Sequence, residues 1–174
     1  PRDEKICVTN ENKVRRFGSL LHNDEEKIKK LGMNIYASNW LRDENNNTIK
    51  TNLFGKLFVL ATTKIANLDP YGLGLEMEAD KPGWNDAMNG LPGLFGSGVS
   101  ETIELKRVVT FLQNSFNSSF EVEVPVELVK FVEKLVNLLS QDTTDFVYWD
   151  KSNDYKETYR KEIRFYTKGN ESIS

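Results

Sequence analysis

The stretch PVELVKFVEKLVNLL, residues 125–139, carries the strongest helical signal in the sequence. Its apolar residues recur at spacings of three and four: Leu128, Phe131, Val132, Leu135, Val136, Leu138 and Leu139. A helix that is apolar over so wide an arc is usually buried on more than one side. Pro125 suits the first turn, because a proline there removes no helical hydrogen bond. The stretch predicts a helix packed between partners.

Two helical patterns precede this stretch. From Thr51 onward, apolar residues at spacings of three and four form one face, which ends at Asp69-Pro70. A shorter pattern follows Asp24 and stops at Gly32, where an acidic first turn and a terminal glycine mark the two ends. Both patterns predict amphipathic helices.

A third pattern begins at Ser100. Its hydroxyl group suits a helix N-cap, and Glu101 in the first turn favours the helix dipole. The apolar face continues to a helix end near Asn117.

The remaining segments give weaker signals. Residues 1–24 read as irregular, residues 43–48 as a polar turn, and residues 145–149 as a short β piece. The tail from Asp154 is polar and reads as a helix that frays, and the charges of KETYRKEIR, 156–164, read as a solvated face. The chain is predicted to be mainly α. A bundle is the plain interpretation, and a layered helical barrel is the other.

Composition narrows the functional classes. The 174 residues suit one domain, and the net charge of −3 gives no electrostatic grip on nucleic acid. Cys7 and His22 are the only residues of their types, so Cys/His zinc motifs are absent and no metal is expected. No apolar run approaches the roughly 18 residues of a membrane span, so we expect no membrane partner and a cytoplasmic location. Because residue 1 is not Met, we expect a processed or excised piece of a longer chain.

A long Gly/Pro-rich loop, residues 69–100, separates two of the predicted helices. Loops longer than about 12–15 residues are usually functional or disordered. Its apolar and aromatic residues are unusual for a disordered linker: Tyr71, Trp84, Leu91, Leu94 and Phe95. The loop is therefore a candidate site.

The loop groups Trp84, Asn85, Asp86 and Asn89 within a few residues. Glycoside cleavage needs a carboxylic acid that protonates the departing oxygen. Aromatic rings and amides are suited to the apolar faces and hydroxyl groups of sugars. The alternative is an Asx-turn with Trp84 as a packing anchor, and composition alone favours that alternative.

The order of these residues resembles the catalytic loop of the cellobiose phosphorylase family, which reads approximately Asp-Trp-Asn-Asp-Gly-Met-Asn. The matching residues are Trp84, Asn85, Asp86, Met88 and Asn89, followed by Gly96, Gly98, Ser100, Glu101 and a helix. The resemblance covers residues 82–116 well and the flanking helices loosely. Gly83 and Ala87 depart from the family pattern, so both phosphorolysis and hydrolysis remain open.

The resemblance implies a carbohydrate-active enzyme that acts on a disaccharide or oligosaccharide. Asp86 would be the general acid, and Trp84, Asn85, Asn89 and Glu101 would bind substrate. No cofactor is implied, although inorganic phosphate would be the co-substrate of a phosphorylase. The alternative function is a noncatalytic helical module that binds carbohydrate or protein.

The family's catalytic domain is an (α/α)6 barrel of twelve helices. At roughly 11–12 residues per helix and about 4–6 per loop, such a barrel needs on the order of 200 residues or more. We count about five helices in the sequence, so residues 1–174 are expected to be one helical segment of a larger catalytic domain, forming part of the barrel. Its exposed apolar faces would then be covered by the rest of the parent chain or by a second copy.

Overall fold

The computed structural model describes residues 6–16, 26, 29, 40–76, 97–116, 121–164 and 166–173. These residues include four helices: α1 (Leu53–Ile65), α2 (Val99–Ser115), α3 (Val126–Leu139) and α4 (Asp145–Glu162). The predicted mainly α class is confirmed, whereas an array that forms part of an (α/α)6 barrel stays a prediction. None of the helices in the described ranges has the length and apolarity needed to cross a bilayer.

Three small antiparallel sheets accompany the helices in the described ranges. Their strands are β1 (Ile6–Val8) with β2 (Val14–Arg16), β3 (Leu75–Glu76) with β4 (Ser97–Gly98), and β5 (Val122–Pro125) with β6 (Asn170–Ile173). In the last sheet Val122 lies opposite Ile173, and Pro125 lies opposite Asn170. The β1–β2 sheet is a local hairpin. The β3–β4 and β5–β6 sheets pair segments that are distant from each other in the sequence.

The core is one cluster of buried side chains contributed by α1, α2, β5, α3 and α4. Leu128, Phe131 and Leu135 are buried, and the ring of Phe131 stacks on Tyr159 of α4 with centroids 5.2 Å apart. Burial of side chains of this size supplies about 1.5–3 kcal/mol each. Val136 and Leu139 are exposed, so the buried face is narrower than the wide apolar arc predicts.

Helix α1 confirms the helical pattern predicted from residue 51. Asn52 caps it, because its side-chain oxygen accepts a hydrogen bond from the Gly55 amide at 2.9 Å. Gly55 also permits close packing, since a Cβ atom there would lie 3.1 Å from Cγ1 of Val122 in β5. Because glycine has no Cβ atom, Gly55 lets α1 approach the β5–β6 sheet closely.

The N-cap predicted for α2 is wrong. The helix begins at Val99 with Gly98 as its cap, and Ser100 lies inside the first turn. Pairing of β4 with β3 holds Gly98 in an extended conformation, so the helix starts directly after the strand. Glu101 does lie in the first turn, as predicted.

The predicted β piece at 145–149 is also wrong, because these residues form the first turns of α4. Thr144 caps the helix by accepting a hydrogen bond from the Val147 amide at 3.4 Å. The predicted fraying of the tail is wrong as well, since residues 170–173 pair with β5. Pro125 is the last residue of β5 and the N-cap of α3, one position before the helix.

In the N-terminal half of the chain, some of the predicted elements are confirmed and others are wrong. Residues 6–16 form a hairpin where the sequence reads as irregular, whereas the polar turn at 43–48 is confirmed. Asp43 accepts a hydrogen bond from the Asn47 amide at 2.7 Å. Glu26 and Lys29 are helical, and the other residues of the helix predicted after Asp24 lie outside the described ranges.

Replacing Leu128 by alanine should reduce the free energy of unfolding by about 3 kcal/mol, because the side chain is fully buried in the hydrophobic core. The matched variant Leu139→Ala removes an exposed leucine from the same helix and should cost less than about 1 kcal/mol. Urea unfolding monitored by circular dichroism measures both. Equal losses would place the core elsewhere.

Candidate functional site

Four of the five predicted site residues, Trp84, Asn85, Asp86 and Asn89, lie outside the described residues. The structure does describe Glu101 and both ends of the segment 77–96. We call β3 and β4 together the loop stem. The geometry of the stem decides where this segment leaves and rejoins the fold.

The stem brings the two ends of the segment side by side. Leu75 lies opposite Gly98, and Glu76 lies opposite Ser97. Gly74 is required for this approach, because a Cβ atom there would lie 2.6 Å from the Ser97 hydroxyl oxygen and 3.1 Å from its carbonyl carbon. Two short strands thus close a long connection.

The Asp69 side chain accepts hydrogen bonds that stabilise the turn before the loop stem. One carboxylate oxygen accepts hydrogen bonds from the amides of Tyr71 and Leu73, each at 3.0 Å. The other accepts from the Gly74 amide at 2.9 Å and from the Ser97 hydroxyl group at 2.6 Å. Desolvation alone would raise the pKa of Asp69, but the hydrogen bonds from Ser97 and the three amides outweigh it and lower the pKa. The carboxylate is therefore fully engaged in shaping the turn.

Glu76, the last described residue before the segment, is held by α4. Its Oε1 accepts a hydrogen bond from Nε1 of Trp149 at 2.7 Å, and its amide donates to the Asn67 carbonyl oxygen at 2.7 Å. Desolvation raises the pKa of Glu76, although the hydrogen bonds from Trp149 and Asn153 and the charge of Lys156 partly oppose the rise. The stem therefore carries a partly buried carboxyl group of fixed orientation.

A buried polar cluster lies beside Glu76. Lys156 donates a hydrogen bond to Oδ1 of Asn67, and its Nζ lies 3.5 Å from Oε1 of Glu157. The same Glu157 oxygen accepts from Arg160 at 2.8 Å. Asn67, Lys156 and Glu157 are each at most 5% exposed. The solvated face predicted for residues 156–164 is therefore wrong for Lys156 and Glu157, which compensate each other's charge in the interior.

Burial dominates the titration of Lys156. It lowers the pKa of the ammonium group to about 8, although the charges of Glu157 and Glu76 act in the opposite direction. The side chain is thus close to neutralisation just above physiological pH.

Glu101 lines a groove of about 330 Å³ between α1 and α2. Leu60, Leu75 and Leu105 contribute apolar lining, and Lys64 and Glu104 contribute further charged groups. The Glu101 carboxylate accepts a hydrogen bond from the Ser100 hydroxyl group at 3.0 Å, and the side chain is exposed. A groove with apolar and charged lining residues can hold one small polar ligand.

Sequence reasoning missed the partners that the fold brings to the stem. Trp149, Asn153 and Lys156 recur at spacings of four and three, which places them on one helix face. Interpreting residues 145–149 as β concealed this pattern. Within the described ranges, no group of three or more His, Cys, Asp or Glu side chains is arranged to hold a metal ion.

The variant Asp69→Asn should loosen the stem, because an amide cannot accept all four hydrogen bonds on two carboxylate oxygens. We expect faster hydrogen exchange of the Leu73 and Gly74 amides at neutral pH, measured by NMR. Since the pKa of Asp69 is lowered in the fold, its contribution is present above about pH 4 and is lost as the pH falls through the folded-state pKa. The wild-type stem should therefore approach the behaviour of the variant in acid.

Asp43→Asn is the matched control, because Asp43 closes a different turn through Asn47. It should accelerate exchange in residues 43–47 and leave the stem unchanged. Unchanged stem amides in Asp69→Asn would contradict the assigned role.

The variant Lys156→Met should remove a pH dependence of stability. The folded protein releases the Lys156 proton near pH 8, whereas the unfolded chain retains it to about pH 10.4, so wild-type stability should rise between these values. The rise relative to the variant should be on the order of 2 kcal/mol between about pH 8 and pH 10. Urea unfolding across this range measures the difference. Lys151→Met, which alters an exposed lysine of the same helix, should retain the wild-type slope, and parallel curves for Lys156→Met would refute the assignment.

Comparisons with protein-family models, with curated proteins and with solved structures found no match to this chain. Its family is therefore not shown, and the resemblance of residues 82–116 to the cellobiose phosphorylase family stays a prediction.

Proposed function

We propose that this chain is the acid-bearing segment of a carbohydrate-active enzyme that cleaves glycosidic bonds, by phosphorolysis or by hydrolysis. Asp86 is the general acid in this proposal. The observation that carries it is the order Trp84, Asn85, Asp86 and Asn89, followed by a Gly-rich stretch and the helix that contains Glu101.

The stem supports the proposal because it fixes both ends of the acid-bearing segment. General acid catalysis depends on holding the acid at hydrogen-bonding distance from the departing oxygen. Asp69 and the β3–β4 pairing tie the segment to the ends of α1 and α2. Such an anchorage suits a loop whose task is to present one carboxyl group.

The substrate is a disaccharide or oligosaccharide. In this proposal Trp84 stacks on a sugar ring, Asn85 and Asn89 bind hydroxyl groups, and Glu101 accepts hydrogen bonds from hydroxyl groups in the groove that it lines. The position of Glu101 in an open groove, with an exposed carboxylate, is consistent with this role. The reaction requires no cofactor, and inorganic phosphate is the second substrate if the enzyme is a phosphorylase.

A noncatalytic module that binds carbohydrate or protein is the second candidate. An apolar groove of about 580 Å³ among α1, α2 and α3 favours it, because surfaces of this kind often meet a partner. Phe58, Phe116 and Val132 are among its lining residues. The partner would be the rest of a parent chain or a second copy of this one.

Replacing Asp86 by asparagine in the longest natural polypeptide that contains this segment should reduce turnover by about 10²–10⁴-fold, because the amide cannot donate the proton. The assay measures free sugar and sugar 1-phosphate from a disaccharide panel, with and without inorganic phosphate. Asp142→Asn, an exposed carboxylate-to-amide change, is the control and should leave turnover unchanged.

The product distinguishes the two reactions, since phosphate-dependent sugar 1-phosphate indicates a phosphorylase and free sugar indicates a hydrolase. Loss of folding in Asp86→Asn would give Asp86 a structural role. Saccharide binding without turnover, retained in Asp86→Asn and lost in Trp84→Ala, would instead support the binding module.

A further inference from the structure

The groove among α1, α2 and α3 is built on the hydrophobic core. Its volume is about 580 Å³, and its lining comes from all three helices and from Ile173 of β6. Phe54, Ala61 and Leu112 line the groove and are themselves at most 9% exposed, so its deepest part belongs to the packed framework. This volume falls within the range of about 300–1,000 Å³ that is typical of small-molecule sites.

Three phenylalanine rings contribute to the lining and contact one another. The centroid of the Phe54 ring lies 6.4 Å from that of Phe58, with an interplanar angle of 19°, and 5.7 Å from that of Phe116, with an angle of 32°. Because Phe116 directly follows α2 whereas Phe54 and Phe58 belong to α1, these contacts connect the two helices. A lining held in this way loses little conformational freedom when a ligand binds.

Few polar side chains line the groove, and they differ in availability. The Thr62 hydroxyl group already donates a hydrogen bond to the Phe58 carbonyl oxygen at 2.9 Å. Gln113 and Glu133 are exposed, and among the described lining residues Glu133 carries the charge. Within the part of the chain that the structure describes, no hydrogen bond or ion pair engages the Glu133 carboxylate. The lining therefore suits an apolar body with one polar end that remains near solvent.

The charge of Glu133 selects the polar end. Lys130 and Lys134 of the same helix lie outside the lining, and Nζ of Lys134 lies over the Tyr155 ring, 5.7 Å from its centroid. A carboxylate attracts a cation and repels an anion, and the net charge of −3 acts in the same direction. The lining thus favours a cationic ligand over a neutral one, and a neutral ligand over an anionic one.

The same charge makes a second copy of the chain a poorer occupant. A two-fold interface uses the same patch on both subunits, so it would bring two Glu133 carboxylates into one contact. Both carboxylates would lose solvent, and the described lining residues supply no cation to compensate them. A ligand that carries its own positive charge does not incur this cost.

We propose that this groove binds a small organic cation with an extended apolar body, of the chemical class of long-chain primary amines. The apolar body lies among Phe58, Val109 and Val132, and the ammonium group lies beside Glu133. The side-chain oxygen of Gln113 accepts a hydrogen bond from the same ammonium group. This site goes beyond the proposed function, because it shares no residue with the predicted sugar-binding set.

Decylamine, decan-1-ol and decanoate test the proposal, because their chains match and their polar ends differ in charge. Isothermal titration calorimetry with the full chain, at concentrations below those at which the probes aggregate, should rank the amine tightest and decanoate weakest. Octylamine should bind about 15-fold more weakly than decylamine, since burial of each methylene changes affinity about fourfold. Methyl NMR shifts of Val129 and Val132 should report binding in the groove.

Two substitutions separate charge from shape. Glu133→Gln should weaken decylamine binding about two- to fivefold, as expected for an exposed ion pair, and should strengthen decanoate binding. Its control, Glu162→Gln, changes an exposed carboxylate of α4 outside the groove and should change neither affinity. Val132→Trp should fill the groove and weaken decylamine binding at least about tenfold, whereas Val136→Trp, exposed on the same helix outside the lining, should not. If Val132→Trp does not fold by circular dichroism, Glu133→Gln decides.

Three results would overturn the proposal. The first is no detectable binding of decylamine by the folded wild type, or binding that leaves the Val129 and Val132 methyl signals unchanged. The second is an order of affinity among the three probes that Glu133→Gln does not alter. The third is a dimer, detected by sedimentation velocity, that Val132→Trp dissociates and decylamine does not, since it would assign the groove to a second copy.

Discussion

The packing of α4 against α3 is the interaction on which the described structure depends. Phe131 and Tyr159 stack at this interface, and Leu128 of α3 is completely buried in the same hydrophobic cluster. The same α4 carries Trp149 and Lys156, which hold Glu76 and Asn67 near the loop stem. It also holds the N-terminal hairpin, because Asp154 accepts a hydrogen bond from the Val14 amide at 2.5 Å and Asp150 pairs with Lys13. Helix α4 thus contacts the core, the N-terminal hairpin and the loop stem.

The buried charges of α4 have a different energetic character from the apolar core. Transfer of Lys156 and Glu157 out of water is costly, and their attraction, together with the Arg160 contact, offsets that cost. Such a cluster contributes less to net stability than leucines of similar volume. The cluster instead constrains how the elements are arranged, since Lys156 reaches Asn67 only when the end of α1 lies beside α4.

Local patterns predicted the long helices well. Residues 51–68 and 125–139 have apolar spacing that persists for several turns, and the structure confirms both helices, although the first ends at Ile65 and not at Asp69 as predicted. Helix ends were less predictable, because the start of α2 is decided by pairing between Gly98 and Leu75, which no local pattern contains. β5 and β6 were missed for the same reason, since four-residue strands give little signal and their pairing joins distant parts of the chain.

In the candidate site, too, features carried by neighbouring residues could be predicted, and contacts between distant residues could not. The residue order around Asp86 is local and could be recognised in the sequence, as could the acidic first turn containing Glu101. The hydrogen bond between Glu76 and Trp149 spans 73 residues and depends on how α4 packs. Lys156 was misread because charged residues on a helix usually face solvent, and only the tertiary structure supplies Asn67 and Glu157 as its buried partners.

The two-residue strands of the stem have an evolutionary consequence. The chain between Glu76 and Ser97 is covalently connected to the rest of the protein only at its two ends. The β3–β4 pairing places these two ends next to each other. Doubling the length of a flexible connection between fixed ends costs only about 0.6 kcal/mol in closure entropy. Closure entropy therefore selects only weakly for one particular length of chain between Glu76 and Ser97. Asp69 and Gly74, which hold the two ends together, lie outside the part whose length such variation would change.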